Sequence, residues 1–263
     1  MATSGPIFDR VLLSNDDGID APGIAILEQI AAKLAREVWV VAPAENQSGT
    51  SHSVSLHSPL RVTLRSERRF AVRGTPADCI ALGVSHLMGK HRPDLILSGI
   101  NRGTNVGVYT LFSGTIGAAM MGVALGVPAI ALSQCYIDRQ PIPWDTAQTL
   151  AEDVIRQLVA IGWSPDTCLN VNFPPFAAAD TKPLKVTRQG HQGLTGLLQI
   201  VNGVDPRFIP YHWLNMHDHG KRGDRPAGEE SEALREGHVT VTPVGLEHTH
   251  LAEMQRLQNK LGG

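Results

Sequence analysis

Short apolar runs alternate along this chain with longer segments in which apolar residues recur every three or four positions. Continuous runs are typical of strands buried on both faces, whereas the longer spacing predicts amphipathic helices. Regular alternation of the two predicts a parallel sheet covered by helices. The fold class expected is therefore α/β, a three-layer α/β/α Rossmann-like sandwich. The predicted strands are residues 11–13, 38–42, 95–97, 129–132 and 169–171.

Helices are predicted between these strands. One apolar stripe starts at Ile24 and ends at Leu34, and a longer one runs from Ala147 to Val159. Thr75 and the residues after it have the composition of a helix start, which predicts a third helix towards residue 87. Residues 60–64 and 70–72 flank a charged tip at 65–69, so we expect an exposed hairpin there.

The pattern weakens after residue 188. Gly, His, Pro and charged residues dominate 189–236, which is too long for a simple surface loop. We interpret the chain as an α/β domain at 1–188 and a C-terminal arm at 189–263 that packs on another subunit. A strand at 239–241 and a helix at 251–261 are expected to complete the arm.

Charge excludes some classes of partner. The 263 residues carry 23 Lys and Arg against 25 Asp and Glu, so neither a nucleic-acid polymer nor an anionic membrane is indicated. Residues 103–137 contain no Asp, Glu, Lys, Arg or His. A transmembrane helix is not expected, because Ser113, Thr115, six glycines and Pro128 interrupt this stretch.

The cysteines and the N-terminal residues indicate a cytoplasmic protein. Residues 1–10 lack the basic start and apolar run of a signal peptide. Cys79, Cys135 and Cys168 are far apart in apolar surroundings. We expect buried thiols there, with neither disulfides nor a zinc site.

Two adjacent carboxylates, Asp16 and Asp17, follow the first predicted strand. Ligands bind outside the carboxyl ends of parallel strands, and Gly18 would let the chain turn so that both carboxylates face one cation. Carboxylate oxygens suit Mg²⁺ or Mn²⁺. The alternative is that the pair only builds a turn or caps a helix.

Polar loops follow two further strands. Residues 46–53 come after the strand at 38–42, and residues 98–103 come after the strand at 95–97. All three loops should open at the same edge of the sheet. Taken singly, Ser48 and Asn101 would be ordinary loop residues that form hydrogen bonds.

These motifs together resemble the survival protein SurE family of metal-dependent nucleotidases, which are acid phosphatase-like enzymes. The similarity covers about residues 11–188. It includes the acidic turn, the loops at 42–49 and 98–103, Gly74-Thr75-Pro76-Ala77-Asp78-Cys79, and Tyr109 with Ser113-Gly114-Thr115.

The resemblance implies one divalent metal ion per subunit, Mg²⁺ or Mn²⁺, and a phosphate monoester substrate. The implied metal ligands are Asp16, Asp17, Ser48 and Asn101. A helix start binds phosphate through unpaired N–H groups without any Lys or Arg. The implied phosphate contacts are Asn105, Ser113, Gly114 and Thr115, although Ser113 could simply cap the helix.

The expected activity is that of a 5′-nucleotidase, a hydrolase that splits nucleoside 5′-monophosphates with metal-activated water. Asp16 or Asp17 is expected to aid proton transfer. Nucleoside 3′-monophosphates and short polyphosphate are further candidate substrates. His52 could approach the substrate, but a solvated loop histidine is the simpler interpretation.

The alternative is a nucleotide-binding module without catalysis, although no Gly-x-Gly-x-x-Gly or P-loop is present. The pairs His217 with His219 and His248 with His250 lack supporting metal ligands. The resemblance also implies a homodimer or homotetramer with an exchanged C-terminal segment.

Overall fold

A computed structural model describes residues 5–137, 140–191, 198–216 and 229–262. A nine-stranded sheet forms the centre of this part of the chain, in the order β3-β4-β2-β1-β5-β6-β7-β11-β8. Its strands are β1 (Phe8–Ser14), β2 (Ala35–Pro43), β3 (Arg61–Ser66), β4 (Arg69–Arg73), β5 (Leu95–Arg102), β6 (Ala129–Gln134), β7 (Thr167–Phe173), β8 (Lys182–Val186) and β11 (His238–Gly245).

The five central strands, β2, β1, β5, β6 and β7, are all parallel to one another. Their apolar side chains fill both faces of the sheet, as in Leu12 and Leu13, which are both 0 % exposed. A strand buried on both faces needs apolar residues at successive positions, and the sequence showed this pattern. All five strands predicted from apolar runs are confirmed.

Helices cover both faces of the sheet. The helices α1 (Pro22–Leu34) and α4 (Trp144–Ile161) bury their apolar residues in one core cluster, while α2 (Pro76–Leu82) and α3 (Gly114–Ala124) do so in a second. The predicted three-layer α/β/α arrangement is therefore confirmed. The helix predicted towards residue 87 has α geometry only to Leu82 and continues as a wider turn, Gly83–Leu87.

The predicted hairpin is present as β3 and β4, with a shorter tip than expected. Ser66 pairs with Arg69, so only residues 67 and 68 form the turn. The hairpin belongs to the central sheet, because β4 pairs in parallel with β2.

The C-terminal part contributes strands to the central sheet and also forms elements outside that sheet. The predicted strand lies within β11, which is antiparallel to β7. Neither β8 nor the short helix α5 (Glu230–Arg235) was anticipated. A separate antiparallel pair, β9 (Leu198–Val204) and β10 (Pro210–Met216), and the helix α6 (Leu251–Leu261) complete the described residues. The domain boundary at residue 188 stays a prediction.

None of the helices found in the described ranges is long and apolar enough to cross a bilayer. The 103–137 stretch is divided among a 3₁₀ turn (Gly107–Phe112), α3 and β6.

Candidate metal and phosphate site

The carboxyl ends of β1, β2 and β5 meet at one edge of the sheet, called the site edge below. Ser14 at the end of β1 is in register with Ser98 of β5, and β2 pairs along the other side of β1. Parallel pairing brings the following loops together, as the sequence predicted. The acidic pair, Asp16 and Asp17, therefore lies between the loop after β2 and the end of β5.

Asp16 is enclosed by three different segments. Its side chain is 4 % exposed, and one carboxylate oxygen, Oδ1, accepts a 2.6 Å hydrogen bond from the Thr115 hydroxyl. The carbonyl oxygen of Asp16 accepts the backbone N–H of Gln47 at 2.7 Å. Gly114 packs so closely that a Cβ there would lie 2.8 Å from the Asp16 Cβ. Any larger residue at 114 would displace this carboxylate.

Asp17 is more open and is held from the other side. Its Oδ2 accepts the backbone N–H of Arg102 at 3.1 Å. This bond ties the acidic turn to the last residue of β5, immediately after Asn101. The two carboxylates thus receive donors from opposite sides, one from the start of α3 and one from the end of β5.

Burial disfavours the charged form of both carboxylates. Burial is the main cause of the raised pKa of Asp16, the Thr115 hydrogen bond opposes it, and the neighbouring Asp17 charge adds to it. Burial also raises the pKa of Asp17, against the opposing Arg102 N–H and guanidinium. Two partly or fully buried carboxylates that repel each other are stabilised by a bound cation, so this site favours cation binding.

The turn that exposes the acidic pair depends on Gly18, whose φ is +102°. This left-handed backbone conformation favours glycine. The Asn15 side-chain amide donates to the Gly18 carbonyl at 2.8 Å, and the Ile19 N–H donates to the Pro43 carbonyl at 2.8 Å. The predicted role of Gly18 in turning the chain is confirmed.

Each of the two proposed neutral ligands is next in sequence to a residue that bonds to the acidic pair. Ser48 is exposed, and its N–H donates to the Asn46 side chain at 2.9 Å. It directly follows Gln47, which is bonded to Asp16. Asn101 directly precedes Arg102, which is bonded to Asp17, and its side-chain amide donates to the Gly103 carbonyl at 3.1 Å. Their assignment as ligands stays a prediction.

The start of α3 faces the acidic pair through Gly114 and Thr115. Ser113 caps this helix, because its hydroxyl accepts the Ile116 N–H at 3.1 Å. The capping interpretation is thus confirmed, and a phosphate contact from Ser113 stays a prediction. The Thr115 hydroxyl is committed as a donor to Asp16, which leaves its oxygen lone pairs available as acceptors.

Asn105 is buried and lies in a network that sequence reasoning missed. Its side-chain amide donates to the Ser133 hydroxyl at 2.9 Å, and its backbone N–H donates to the Asn172 side chain at 2.9 Å. Asn170 donates to the Asn105 carbonyl at 2.8 Å. A signal for this network existed, since two asparagines alternate within the apolar strand β7 and therefore share one face.

A second missed contact comes from the C-terminal part. Glu230 is fully buried, and its Oε1 accepts the N–H of Gly107 at 2.6 Å and of Gly190 at 3.1 Å. Gln189 donates to the Gly107 carbonyl at 2.9 Å and the Thr110 hydroxyl at 2.7 Å. These contacts hold the loop that leads into α3 in place. No local sequence pattern predicts them.

His52 is an exposed loop residue whose Nδ1 lies 3.1 Å from the Ser51 hydroxyl. Partial burial lowers its pKa, and the charge of His248 lowers it further. This pairing brings residues 52 and 248 into electrostatic contact. His217 and His219 lie outside the described residues.

The residues at the site edge fit a divalent cation by their chemistry. Two carboxylates held between separate segments match its charge, and hydroxyl and amide oxygens are the neutral ligands that hard cations accept. Among the described residues, no three His, Cys, Asp or Glu side chains form a group that could hold a metal ion, and this edge offers two.

The chain is similar over nearly its full length to members of one protein family. The family model described as Survival protein SurE matches residues 11–195. The 5′-nucleotidase SurE 1 of Burkholderia lata is 60 % identical over 262 residues, covering 100 % of both chains. The 5′-nucleotidase SurE of Parvibaculum lavamentivorans is 42 % identical, covering 100 % of this chain and 94 % of its own. The crystal structure of a SurE protein from Aquifex aeolicus superposes with a TM-score of 0.80 at 35 % identity, covering 95 % of this chain and 98 % of that one.

Proposed function

The chain belongs to the survival protein SurE family, and from this premise we propose that it is a metal-dependent 5′-nucleotidase. It hydrolyses nucleoside 5′-monophosphates to nucleoside and phosphate. The observation that carries the proposal is the buried acidic pair at the site edge, held by Thr115 and by the Arg102 N–H. Relatives similar over the full length of the chain bear the name of this activity.

Asp16, Asp17, Ser48 and Asn101 would hold one divalent cation. When bound, Mg²⁺ or Mn²⁺ supplies positive charge that neutralises phosphoryl oxygens and makes water more acidic. The chain contributes the rest through positioning. Thr115 orients the Asp16 carboxylate by its hydrogen bond, and Gly114 leaves the space in which that carboxylate lies.

The phosphate would bind at the start of α3. Ser113, Gly114 and Thr115 form the first turn of this helix or its cap, where N–H groups carry partial positive charge. Asn105 stands on the adjoining loop, fixed by Asn170 and Asn172. Backbone N–H dipoles and the Ser113 hydroxyl, which still has its proton to donate, can stabilise a dianion here although residues 103–137 contain no cationic side chain.

Proton transfer falls to the acidic pair. Burial raises the pKa of both carboxylates in the metal-free protein, and a bound cation would lower it again, so that an ionised Asp could accept a proton from water. Asp17 is the more exposed of the two and is the better placed to exchange a proton with water. Asp16, enclosed by Thr115 and Gly114, is the better anchored ligand.

The test measures phosphate release from a panel of nucleoside 5′-monophosphates, 3′-monophosphates and short polyphosphate, each with Mg²⁺, Mn²⁺ or EDTA. We expect turnover of 5′-monophosphates that EDTA abolishes and added metal restores. Stoichiometric nucleotide binding without turnover under every metal condition would contradict the proposal and favour a binding module.

We also propose that the protein is a homo-oligomer, a homodimer or homotetramer, in the cytoplasm. The β9–β10 pair and α6 expose large apolar side chains, including Phe208 at 88 % and Leu261 at 83 %. An isolated two-stranded hairpin is marginally stable in water, so a second copy is the natural cover for these surfaces. None of the three cysteines takes part in a disulfide, which suits a reducing compartment.

A further inference from the structure

The side chains of Arg102 and Tyr136 lie together close to Asp17. The proposed chemistry does not use these two side chains. The Arg102 backbone N–H binds Asp17, whereas its guanidinium lies over the Tyr136 ring, 5.7 Å from the ring centroid. Arg102 is exposed and Tyr136 is half-buried. This distance is within the range of a cation–π interaction.

The main chain of two adjacent strands fixes the place of this pair. Arg102 of β5 is in register with Gln134 of β6, and the Gly103 N–H donates to the Gln134 carbonyl at 3.0 Å. A Cβ at Gly103 would lie 3.8 Å from the Tyr136 Cε1, which is ordinary contact distance. The ring therefore packs against the end of β5 while Arg102 covers one of its faces.

The pair also has the charge expected beside a phosphate site. The Arg102 backbone N–H is bonded to Asp17, so its positively charged side chain extends from a residue in contact with the acidic pair. Residues 103–137 carry no charged side chain, and Arg102 is the cation immediately before them. A cation here attracts an anionic substrate and presents a flat surface at the same time.

We propose that Arg102 and Tyr136 form a stacking platform for the nucleobase of the substrate. The proposal rests on the nucleotidase function above, because a nucleotide whose phosphate binds at the site edge must place its base on a neighbouring surface, and Arg102 directly follows the proposed ligand Asn101 and is bonded to Asp17. A planar guanidinium braced on an aromatic ring leaves its outer face for a second planar group, and bases stack on both Arg planes and aromatic side chains. Arg102 and Tyr136 thereby determine substrate specificity, and the metal and phosphate contacts stay with other residues.

The test compares a nucleotide with the same sugar phosphate lacking a base. In Tyr136→Ala and Arg102→Ala, KM for AMP should rise about tenfold with kcat changed less than about twofold. KM for ribose 5-phosphate should stay within about twofold of wild type in Tyr136→Ala, whereas Arg102→Ala also removes a charge and should raise this KM by less than it raises KM for AMP. Tyr136→Phe keeps the ring and should restore the wild-type KM for AMP.

Arg36→Ala is the matched control, because Arg36 pairs with Asp9 at the opposite edge of the sheet and should leave both KM values unchanged. A readout without catalysis uses saturation-transfer NMR of adenosine on the metal-free protein. Wild type should saturate the base protons, and Tyr136→Ala should lose most of that signal.

Equal losses for AMP and ribose 5-phosphate, or no change in KM for AMP, would overturn the platform. Wild-type protein that releases no phosphate from any nucleotide would instead overturn the nucleotidase function. The adenosine experiment still decides the platform in that case, so the two failures are distinguishable.

Discussion

The site edge and the C-terminal surface, made of β9, β10 and α6, differ in where their side chains find partners. At the site edge, Asp16 is 4 % exposed and takes contacts from the β2 loop and the start of α3. In α6 none of the eleven residues is buried. The first region completes its contacts within one chain, whereas the second presents apolar surface outward.

The two regions therefore differ in whether they need a partner to bury their side chains. The side chains at the site edge are polar and form hydrogen bonds within one chain, so this region can fold without a partner. The C-terminal surface lacks sufficient burial on its own, because apolar area contributes roughly 25 cal/mol per Å² only when it leaves water. We therefore expect chemistry to depend on the site edge and assembly to depend on the C-terminal surface.

The largest effect is expected from removing one carboxylate of the acidic pair. Asp16→Asn and Asp17→Asn should lower phosphate release from AMP by about a thousandfold or more, because the ligand charge for the cation is halved. Circular dichroism should show a folded protein in both. Near-normal turnover by both metal-loaded variants would reject the metal-site assignment.

Thr115→Val should have the next largest effect. It removes the hydroxyl that orients Asp16 without changing side-chain volume much, and we expect kcat/KM to fall about ten- to a hundredfold. Thr115→Ser keeps the hydroxyl and should recover most of the activity. Equal activity of the Val and Ser variants would show that this hydrogen bond does not position the carboxylate.

Glu230→Ala tests the contact by which the C-terminal part reaches the site. It leaves the half-buried N–H groups of Gly107 and Gly190 without their acceptor, at a cost of about 1 kcal/mol each. We expect a melting temperature lower by several degrees and kcat/KM lower by about tenfold. Glu230→Gln keeps an acceptor oxygen, so its melting temperature and its kcat/KM should lie between those of wild type and Glu230→Ala. Mn²⁺ affinity measured by calorimetry should be similar in all three proteins.

Changing α6 should alter assembly with little effect on turnover. Met254→Asp together with Leu257→Asp places charge on its exposed apolar face, and sedimentation should show a smaller particle than wild type. Activity per subunit should stay within about twofold. Gln255→Glu on the same helix is the control and should leave particle size unchanged. Wild-type protein that sediments as a monomer would contradict the proposed oligomer.

The smallest effect expected is on the stability of the metal-free protein. Raised pKa values of Asp16 and Asp17 mean that the fold favours their neutral forms, so their stabilising contribution is full below about pH 4 and is lost as pH rises through the raised values. In EDTA at pH 7, Asp16→Asn should therefore melt a few degrees above wild type. The difference should shrink towards pH 4.5, and a constant difference across pH would contradict this account.

The sequence located the elements well where one type of interaction dominates. Continuous apolar runs predicted the five central strands, because a strand buried on both faces has few other residue choices. The helix at Leu251–Leu261 was predicted with the bounds that the structure shows. The strand β8, Lys182–Val186, was missed because it contains two Lys and a Pro and is the outermost strand of the sheet, where burial does not require apolar residues.

The sequence predicted which loops form the candidate site. Asp16, Asp17 and Gly18 form a contiguous motif at a strand end, so their location followed from local pattern alone. Contacts between distant segments were not predictable in this way. Glu230 reaches Gly107 across 123 residues, and Asn172 reaches Asn105 across 67 residues.

The sequence by itself determined the fold class, the acidic turn and the uncharged stretch that leads into α3, because each depends on the order of neighbouring residues. Only the tertiary structure decided that Thr115 holds Asp16, that the Arg102 N–H holds Asp17, and that Arg102 lies over Tyr136. These contacts arise when parallel pairing aligns the ends of strands far apart in the chain. Hydrogen bonds and ring contacts act over a few ångströms, so they become defined only after that alignment has formed.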